Sequence, residues 1–331
     1  MARGPIHLAV HPSLFPAAVA RRLTDALQAG VLPSMAHYLT RRQSRAWLAL
    51  HAKLSPFFAA PEGSAIYEIL SRQAAERLPA GGVVVISLGC GGGRKDTLLL
   101  ECLYGRRVSY LPVDASLDLV LTSVENAAAL LDAAECRPQL IDLTAAEDWR
   151  VLTSGLAEED RRVILFYGML PNVDLGTVGP RLVSLLRRGD LLLMSANLAR
   201  GTDYLAATQA VLPLYDNAET RAWLGMTLEE LGLSPKEGEW RFEIDRSPWM
   251  TDLLRIAVSF VPARAALIGA AGEAGVELPA ARPIQLFHSN RFTVELVEAF
   301  AAACGLEVLG SALIPSGDEG VFLATRAAGA A

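Results

Sequence analysis

Residues 83–100 read VVVISLGCGGGRKDTLLL, an unbroken apolar run joined to a glycine cluster and then to a helical pattern. A continuous β-branched run, without polar alternation, is what a strand covered on both faces looks like, and such strands belong to parallel sheets flanked by helices. The same texture recurs in VSYLPV, PQLIDL, RVILFY and DLLLMSA, with helical stretches such as LDLVLTSVENAAALLDAA between them. This alternation predicts an α/β fold with an open parallel sheet. At 331 residues and 52% hydrophobic content, the chain has enough apolar material for one large elaborated domain or two.

The flanking regions have a different pattern. Up to about residue 80, PAAVARRLTDALQAG, RRQSRAWLALHAKL and GSAIYEILSRQAAERL space their apolar residues as helices do. After Gly201 come a helix, an aromatic-rich stretch and the strand candidates WRFEID and LLRIAVSFV. The chain closes with PIQLFHS, a helix in TVELVEAFAAACG, and a hairpin of LEVLGSALI with GVFLATRA.

Several function classes are disfavoured. No apolar run reaches the ~18 residues of a membrane span, and the N-terminal MARGPIHLAVHPSLF carries proline and two histidines where a signal peptide needs continuous apolar residues, so a cytoplasmic location without a membrane partner is expected. Cys90, Cys102, Cys136 and Cys304 form no CxxC pair, which points to reduced, buried thiols and no metal site. A net charge of −6 without a long basic run argues against a nucleic-acid partner. GxSxG, HExxH and P-loop patterns are absent. A small molecule is the expected partner, and the sequence leaves the oligomeric state open.

The glycine turn narrows the ligand. After Leu88, the run Gly89-Cys90-Gly91-Gly92-Gly93 leads to a helix expected near Arg94, and its backbone can approach a ligand without Cβ atoms intervening. The dinucleotide pattern GxGxxG would need a third glycine where Arg94 stands, whereas GxGxG suits S-adenosylmethionine (SAM). Asp114 ends the next strand, where a carboxylate accepts from both ribose hydroxyls of an adenosine; it reads equally as a helix cap with Ser116 beside it. Asp142, after the third strand, faces the adenine amino group or is a solvated loop aspartate. Lys95 and Arg94 suit the methionine carboxylate or an ordinary helix start. Cys90, Ser116 and Tyr167 complete the candidate cofactor set.

The runs SLGCGGGRKDTLLLECL, YLPVDAS, ILFYGMLPN and NLARGTDYLAATQAVLPLYDNAETRAWL resemble, in order and spacing, the histidine-specific SAM-dependent methyltransferase family. The resemblance runs from about Pro33 to the end and is firmest in the cofactor half. It implies a Rossmann-like class I methyltransferase sheet completed by a C-terminal antiparallel hairpin, together with a second α+β domain for the substrate. The expected division is 81–200 plus 282–331 for SAM and 1–80 plus 201–281 for the substrate. The family's cofactor positions fall on Gly89, Gly91, Lys95, Asp114 and Asp142. Its substrate-orienting asparagine matches Asn172 in GMLPN, and its tyrosine matches Tyr215 in LYDN. An amide and a phenol hydrogen-bond an amine or carboxylate without adding charge beside a sulfonium. Read without the resemblance, Asn172 is a loop cap and Tyr215 a core tyrosine.

The substrate half departs from the family. Thr40 and Arg41 stand at its aromatic YD element, Phe57 and Phe58 at its tyrosine pair, and Phe287 at the glutamate that precedes a retained serine, Ser289, by two positions. An imidazole would lose its acceptor there. The expected acceptor is therefore a small amine or amino-acid-like metabolite other than histidine, met by Tyr38, Phe57, Asn172, Tyr215, Phe287 and Ser289. His37, His51 and His288 stand apart from any carboxylate partner in sequence, and in-line methyl transfer chiefly requires alignment and exclusion of water. Two alternatives remain: transfer or cyclisation of SAM's aminocarboxypropyl arm, releasing methylthioadenosine, and a silent nucleotide-binding protein.

Overall fold

A computed structural model of the chain describes residues 5–59, 61–268 and 275–329, so the segment 201–281, expected to serve the substrate, and both chain ends run partly outside the described residues. The N-terminal part is a short strand β1 (Ala9–Val10) followed by helices α1 (Pro16–Ala29), α2 (Arg41–Leu54), α3 (Pro56–Ala59) and α4 (Pro61–Arg77). Local signals set their ends. Pro16 opens α1 and Gly30 closes it in the left-handed conformation. Thr40 and Gln43 cap α2 reciprocally, as T-x-x-Q predicts.

The central part runs β2 (Val83–Leu88), α5 (Asp96–Cys102), β3 (Val108–Asp114), α6 (Leu117–Ala127), β4 (Gln139–Leu140), β5 (Arg161–Phe166), α7 (Leu175–Ser184) and β6 (Leu191–Asn197). Next come α8 (Tyr204–Ala210), α9 (Ala218–Glu230), β7 (Gly238–Arg246), β8 (Leu254–Pro262), β9 (Ala266–Ile268), β10 (Val276–Leu278) and β11 (Ile284–Arg291). The chain finishes with α10 (Val294–Ala303), β12 (Leu306–Leu313) and β13 (Glu319–Arg326).

Eight strands form one sheet in the order β1-β4-β3-β2-β5-β6-β13-β12. It is parallel from β1 to β6, and the hairpin β12–β13 adds antiparallel to β6. All six residues of β2 are buried. Ile86 and Leu88 pack with α7 and α10 through Val178, Leu182 and Phe300, while Val83 and Val85 pack with α4 and α5 through Leu70, Ala74 and Leu99. Two covered faces are why the run is apolar throughout.

A separate three-stranded antiparallel sheet has the order β11-β8-β7. Residues 284–291, assigned in sequence to the SAM side, pair here with β8. This sheet packs with α1 and α9 around Leu27, Trp223, Leu228 and Phe260. The thiol expectation needs one correction: all four cysteines are free, but Cys102 is exposed at the end of α5 and Cys304 only half-buried. Among the described residues no helix is long and apolar enough to cross a membrane.

Candidate active site

The turn after β2 is built for close approach. Gly89, Gly91, Gly92 and Gly93 have φ of 66°, 54°, 91° and 71°, a region that other residues enter only under strain. A Cβ on Gly91 would lie 2.9 Å from the Trp47 ring of α2, and one on Gly93 2.9 Å from Cβ of Ser123. Gly89 and Cys90 donate their amides to the Val113 carbonyl, which ties the turn to the end of β3. The helix expected near Arg94 begins two residues later, at Asp96, because the chain first completes the glycine turn.

Asp114 holds the neighbouring corner. Its Oδ2 accepts from the Gly91 amide at 3.2 Å and its Oδ1 from the Ser116 amide at 3.0 Å. Burial pushes its carboxyl up to about 6, the backbone donors opposing the shift. Ser116, not Asp114, caps α6: it accepts from Leu119 at 3.3 Å and shares a 2.7 Å hydrogen bond with Ser44 of α2. Burial also holds the Cys90 thiol well above its ordinary range, so it remains protonated.

Tyr38, Gly89, Cys90, Gly91, Lys95, Asp114, Asp142, Tyr167 and Asn172 all line one cleft at the carboxyl edge of the parallel strands. Leu119, Ile141 and Leu143 add an apolar wall beside the two aspartates. That combination suits an adenosine: apolar surface for the base, carboxylates for its hydroxyls and exocyclic amine, and glycines where bulk must be absent.

Residues with no sequence signal line the cleft or hold the residues that do. Arg22 of α1 pairs with Asp142 at 3.0 Å, while Thr144 donates to the other carboxylate oxygen through its amide and hydroxyl at 2.9 and 2.7 Å. Trp47 and His51 of α2 stack 4.8 Å apart and line the wall. Burial, reinforced by the Lys95 charge, lowers the His51 imidazole to about 3 and keeps it neutral. Lys95 already has protein partners: it donates to Tyr67 at 2.6 Å and meets Glu319, the first residue of β13, at 3.3 Å. An ammonium has three donors, so one remains for a ligand.

The residues expected to meet the acceptor separate into groups. Asn172 lines the cleft and donates to the Gly168 carbonyl at 2.9 Å. Tyr38 lines it too, packed edge-on to Trp47. Phe57 does not: it is buried edge-on against Tyr67, and Phe58 reaches the wall instead. Thr40 is occupied as the cap of α2, and Arg41 pairs with Asp118.

Tyr215 and Ser289 form a second cluster outside that wall, sharing a hydrogen bond at 2.9 Å. Asn197, at the end of β6, donates to Ser289 at 3.2 Å and to Tyr215 at 3.4 Å. Phe287 stacks 6.4 Å from Tyr215 and meets Trp223 edge-on at 5.9 Å. Asn197 joins the two places, because its register partner across β6–β13 is Glu319, the Lys95 partner. Asn197, Glu319 and Tyr67 were missed from sequence, since nothing local marks a residue that acts across 90 or more positions.

No curated protein matches the chain. Among solved structures, a SAM-dependent methyltransferase from Clostridium acetobutylicum aligns over 86% of this chain and 99% of its own at 12% identity and a TM-score of 0.44. The 1,6-didemethyltoxoflavin-N1-methyltransferase of Burkholderia thailandensis, with S-adenosylhomocysteine bound, aligns over 88% and 92% at 14% identity and a TM-score of 0.41. An amino pentose methyltransferase from Micromonospora echinaspora aligns over 87% and 98% at 14% identity and a TM-score of 0.40. The decisive match is in the sequence itself, where the model of the SAM-dependent, histidine-specific methyltransferases spans residues 63–326. That span takes in the glycine turn, both aspartates, Asn172, the Tyr215–Ser289 cluster and the closing hairpin, and so the chain belongs to the histidine-specific SAM-dependent methyltransferase family.

Proposed function

We propose that this methyltransferase acts on the amine of a small amino-acid-like metabolite other than histidine. The observation that carries the reading is Phe287, whose ring stands over Tyr215 and Trp223 two residues before Ser289, where the resemblance calls for a glutamate. An imidazole N–H turned toward that ring would be buried without an acceptor, at a cost of about 1–3 kcal/mol.

SAM, when bound, supplies a methyl carbon already activated by its positive sulfur. In this reading Gly89, Cys90 and Gly91 border it, Asp114 accepts from its ribose hydroxyls, Asp142 faces its adenine, and Lys95 offers its third hydrogen to the carboxylate. Tyr167 supplies a wall. Asn172, Tyr215 and Ser289 orient the acceptor through neutral groups, which align the amine without competing for positive charge. Tyr38 and the α2 residues Trp47 and His51 exclude water from the cleft. The acceptor must arrive as the neutral amine, and no charged base is required of the protein.

The division of labour follows. Residues 81–200 with the C-terminal hairpin handle the cofactor. The N-terminal helices and residues 201–281 handle the acceptor, with β11 counted on the acceptor side because its pairing runs to β8. The test is incubation with radiolabelled SAM and a panel of amino acids and amines. S-adenosylhomocysteine and an N-methylated acceptor are expected. Methylthioadenosine in its place, or SAM binding with no turnover across the panel, would overturn the reading.

A further inference from the structure

We propose that Arg291 is the residue that receives a carboxylate of the acceptor. Arg291 ends β11 and is only 4% exposed. Among the described residues no carboxylate pairs with it, its Nε is buried without a hydrogen-bond partner, and the one protein hydrogen bond of its guanidinium is a long 3.5 Å contact from Nη1 to the Leu198 carbonyl. Withdrawing a guanidinium from water without a counter-charge is expensive, and native proteins pair such groups. Arg255 shows the ordinary arrangement one strand away: it sits opposite Asn290 in register and holds Asp245 at 2.7 Å.

The surroundings say what the missing partner is. Residues two apart on a strand share a face, so Phe287, Ser289 and Arg291 project together from β11. Tyr215 lies across all three: its ring is 6.4 Å from that of Phe287 and 5.4 Å from the Arg291 guanidinium, and its hydroxyl meets Ser289 at 2.9 Å. The face therefore grades from apolar at Phe287, through two hydroxyls and the Asn197 amide, to an unpaired cation at Arg291. A molecule with an apolar side chain and a carboxylate matches that gradient, and a guanidinium beside hydroxyl donors is a carboxylate-binding set. This deepens the functional reading above and rests on it only for the claim that the same molecule carries the reacting amine.

The experiment uses three probes of one skeleton: L-phenylalanine, phenethylamine without the carboxylate, and phenylacetate without the amine. Each is titrated calorimetrically into the full chain saturated with S-adenosylhomocysteine, as wild type, Arg291→Gln and Arg291→Lys. The wild type is expected to bind phenylalanine and phenylacetate at least tenfold more tightly than phenethylamine. Arg291→Gln should abolish that preference and Arg291→Lys keep part of it, with SAM affinity unchanged in both. The unliganded Arg291→Gln protein should melt no lower than wild type, since it buries no unpaired charge; an arginine with a merely structural role gives a lower melting temperature and an equal loss for all three probes. Equal affinity for phenylalanine and phenethylamine in the wild type, or no measurable binding of either carboxylate, overturns the proposal. If the carboxylate preference holds but no amine is methylated, the functional reading fails and the Arg291 assignment stands; methylation indifferent to the carboxylate has the opposite meaning.

Discussion

The cleft proposed for the cofactor and the cluster proposed for the acceptor are put together in different ways. Gly91 reaches Asp114 across 23 residues of chain, while Ser289 reaches Tyr215 across 74 and Asn197 across 92. The Gly91–Asp114 corner is a strand, a turn and the next strand of a parallel sheet, close in sequence because the fold repeats that unit, with remote residues such as Arg22, Trp47 and Glu319 added around it. The Tyr215–Ser289 cluster needs β6, a loop before α9 and β11 to meet. The two sheets mirror the contrast: β2 is buried at every position, whereas β7 alternates half-buried and exposed residues along one solvated face. Local assembly constrains residue identity tightly and leaves little room for a change of ligand. In the proposed reading, remote assembly lets one side chain, such as Phe287, alter what is bound while the scaffold persists.

The largest expected effect lies in the locally built half. Asp114→Ala removes an ionic acceptor for the ribose hydroxyls and is expected to weaken SAM binding by about 1.5–3 kcal/mol, between about tenfold and 150-fold in Kd, with the fold retained. Calorimetric titration reads it, and an unchanged Kd would show that the glycine turn holds SAM without that corner.

A second effect sharpens the same point through pH. Asp114 titrates near 6 in the folded protein, above the ordinary carboxylate range, so the unliganded fold is expected to lose stability from this group as pH rises through about 6. Ribose hydroxyls donate to the ionised form, so SAM affinity should rise over the same window and fall about tenfold per unit below it. Asp96 is pushed up to about 6 as well and adds to the stability profile, and His51 stays neutral throughout. Asp114→Asn separates the contributions: the slope of SAM affinity should flatten, and a slope that persists assigns the titration elsewhere.

In the remotely built half the expected effect of a single change is smaller. Tyr215→Phe leaves Asn197 and Ser289 paired and removes one hydroxyl, at about 0.5–1.5 kcal/mol. Steady-state kinetics should show kcat/KM for the acceptor down about two- to twelvefold with SAM affinity unchanged. A loss of SAM affinity instead would join the two sites that the geometry keeps apart.

This contrast also governs what was legible in the chain. The apolar run at 83–88, the glycine turn and Asp114 could be read because each depends on its immediate neighbours. The sequence left a choice open where two local roles compete. Asp114 and Ser116 both suit a helix cap, and the structure gives the cap to Ser116 and the turn to Asp114. Phe57 and Phe58 are adjacent and alike, and which one faces the cleft depends on how α3 meets α4. Arg22, Trp47, Tyr67 and Glu319 carried no signal, since a helix or strand residue that meets a distant part of the chain looks like any other residue of its element. Arg291 carried none either, because an arginine at a strand end is ordinarily exposed, and only its burial without a carboxylate partner among the described residues sets it apart.

The central claim is that a cofactor half carrying the glycine turn and both aspartates here serves a pocket not shaped for imidazole. It is tested most directly by competition between L-histidine and L-phenylalanine for radiolabelled SAM, with the methylated products resolved by mass. Histidine loses a charged hydrogen-bond partner where Phe287 stands, worth about 1.5–3 kcal/mol, and the account predicts that it is disfavoured by at least tenfold in kcat/KM. Efficient trimethylation of histidine, with phenylalanine the poorer acceptor, would contradict it.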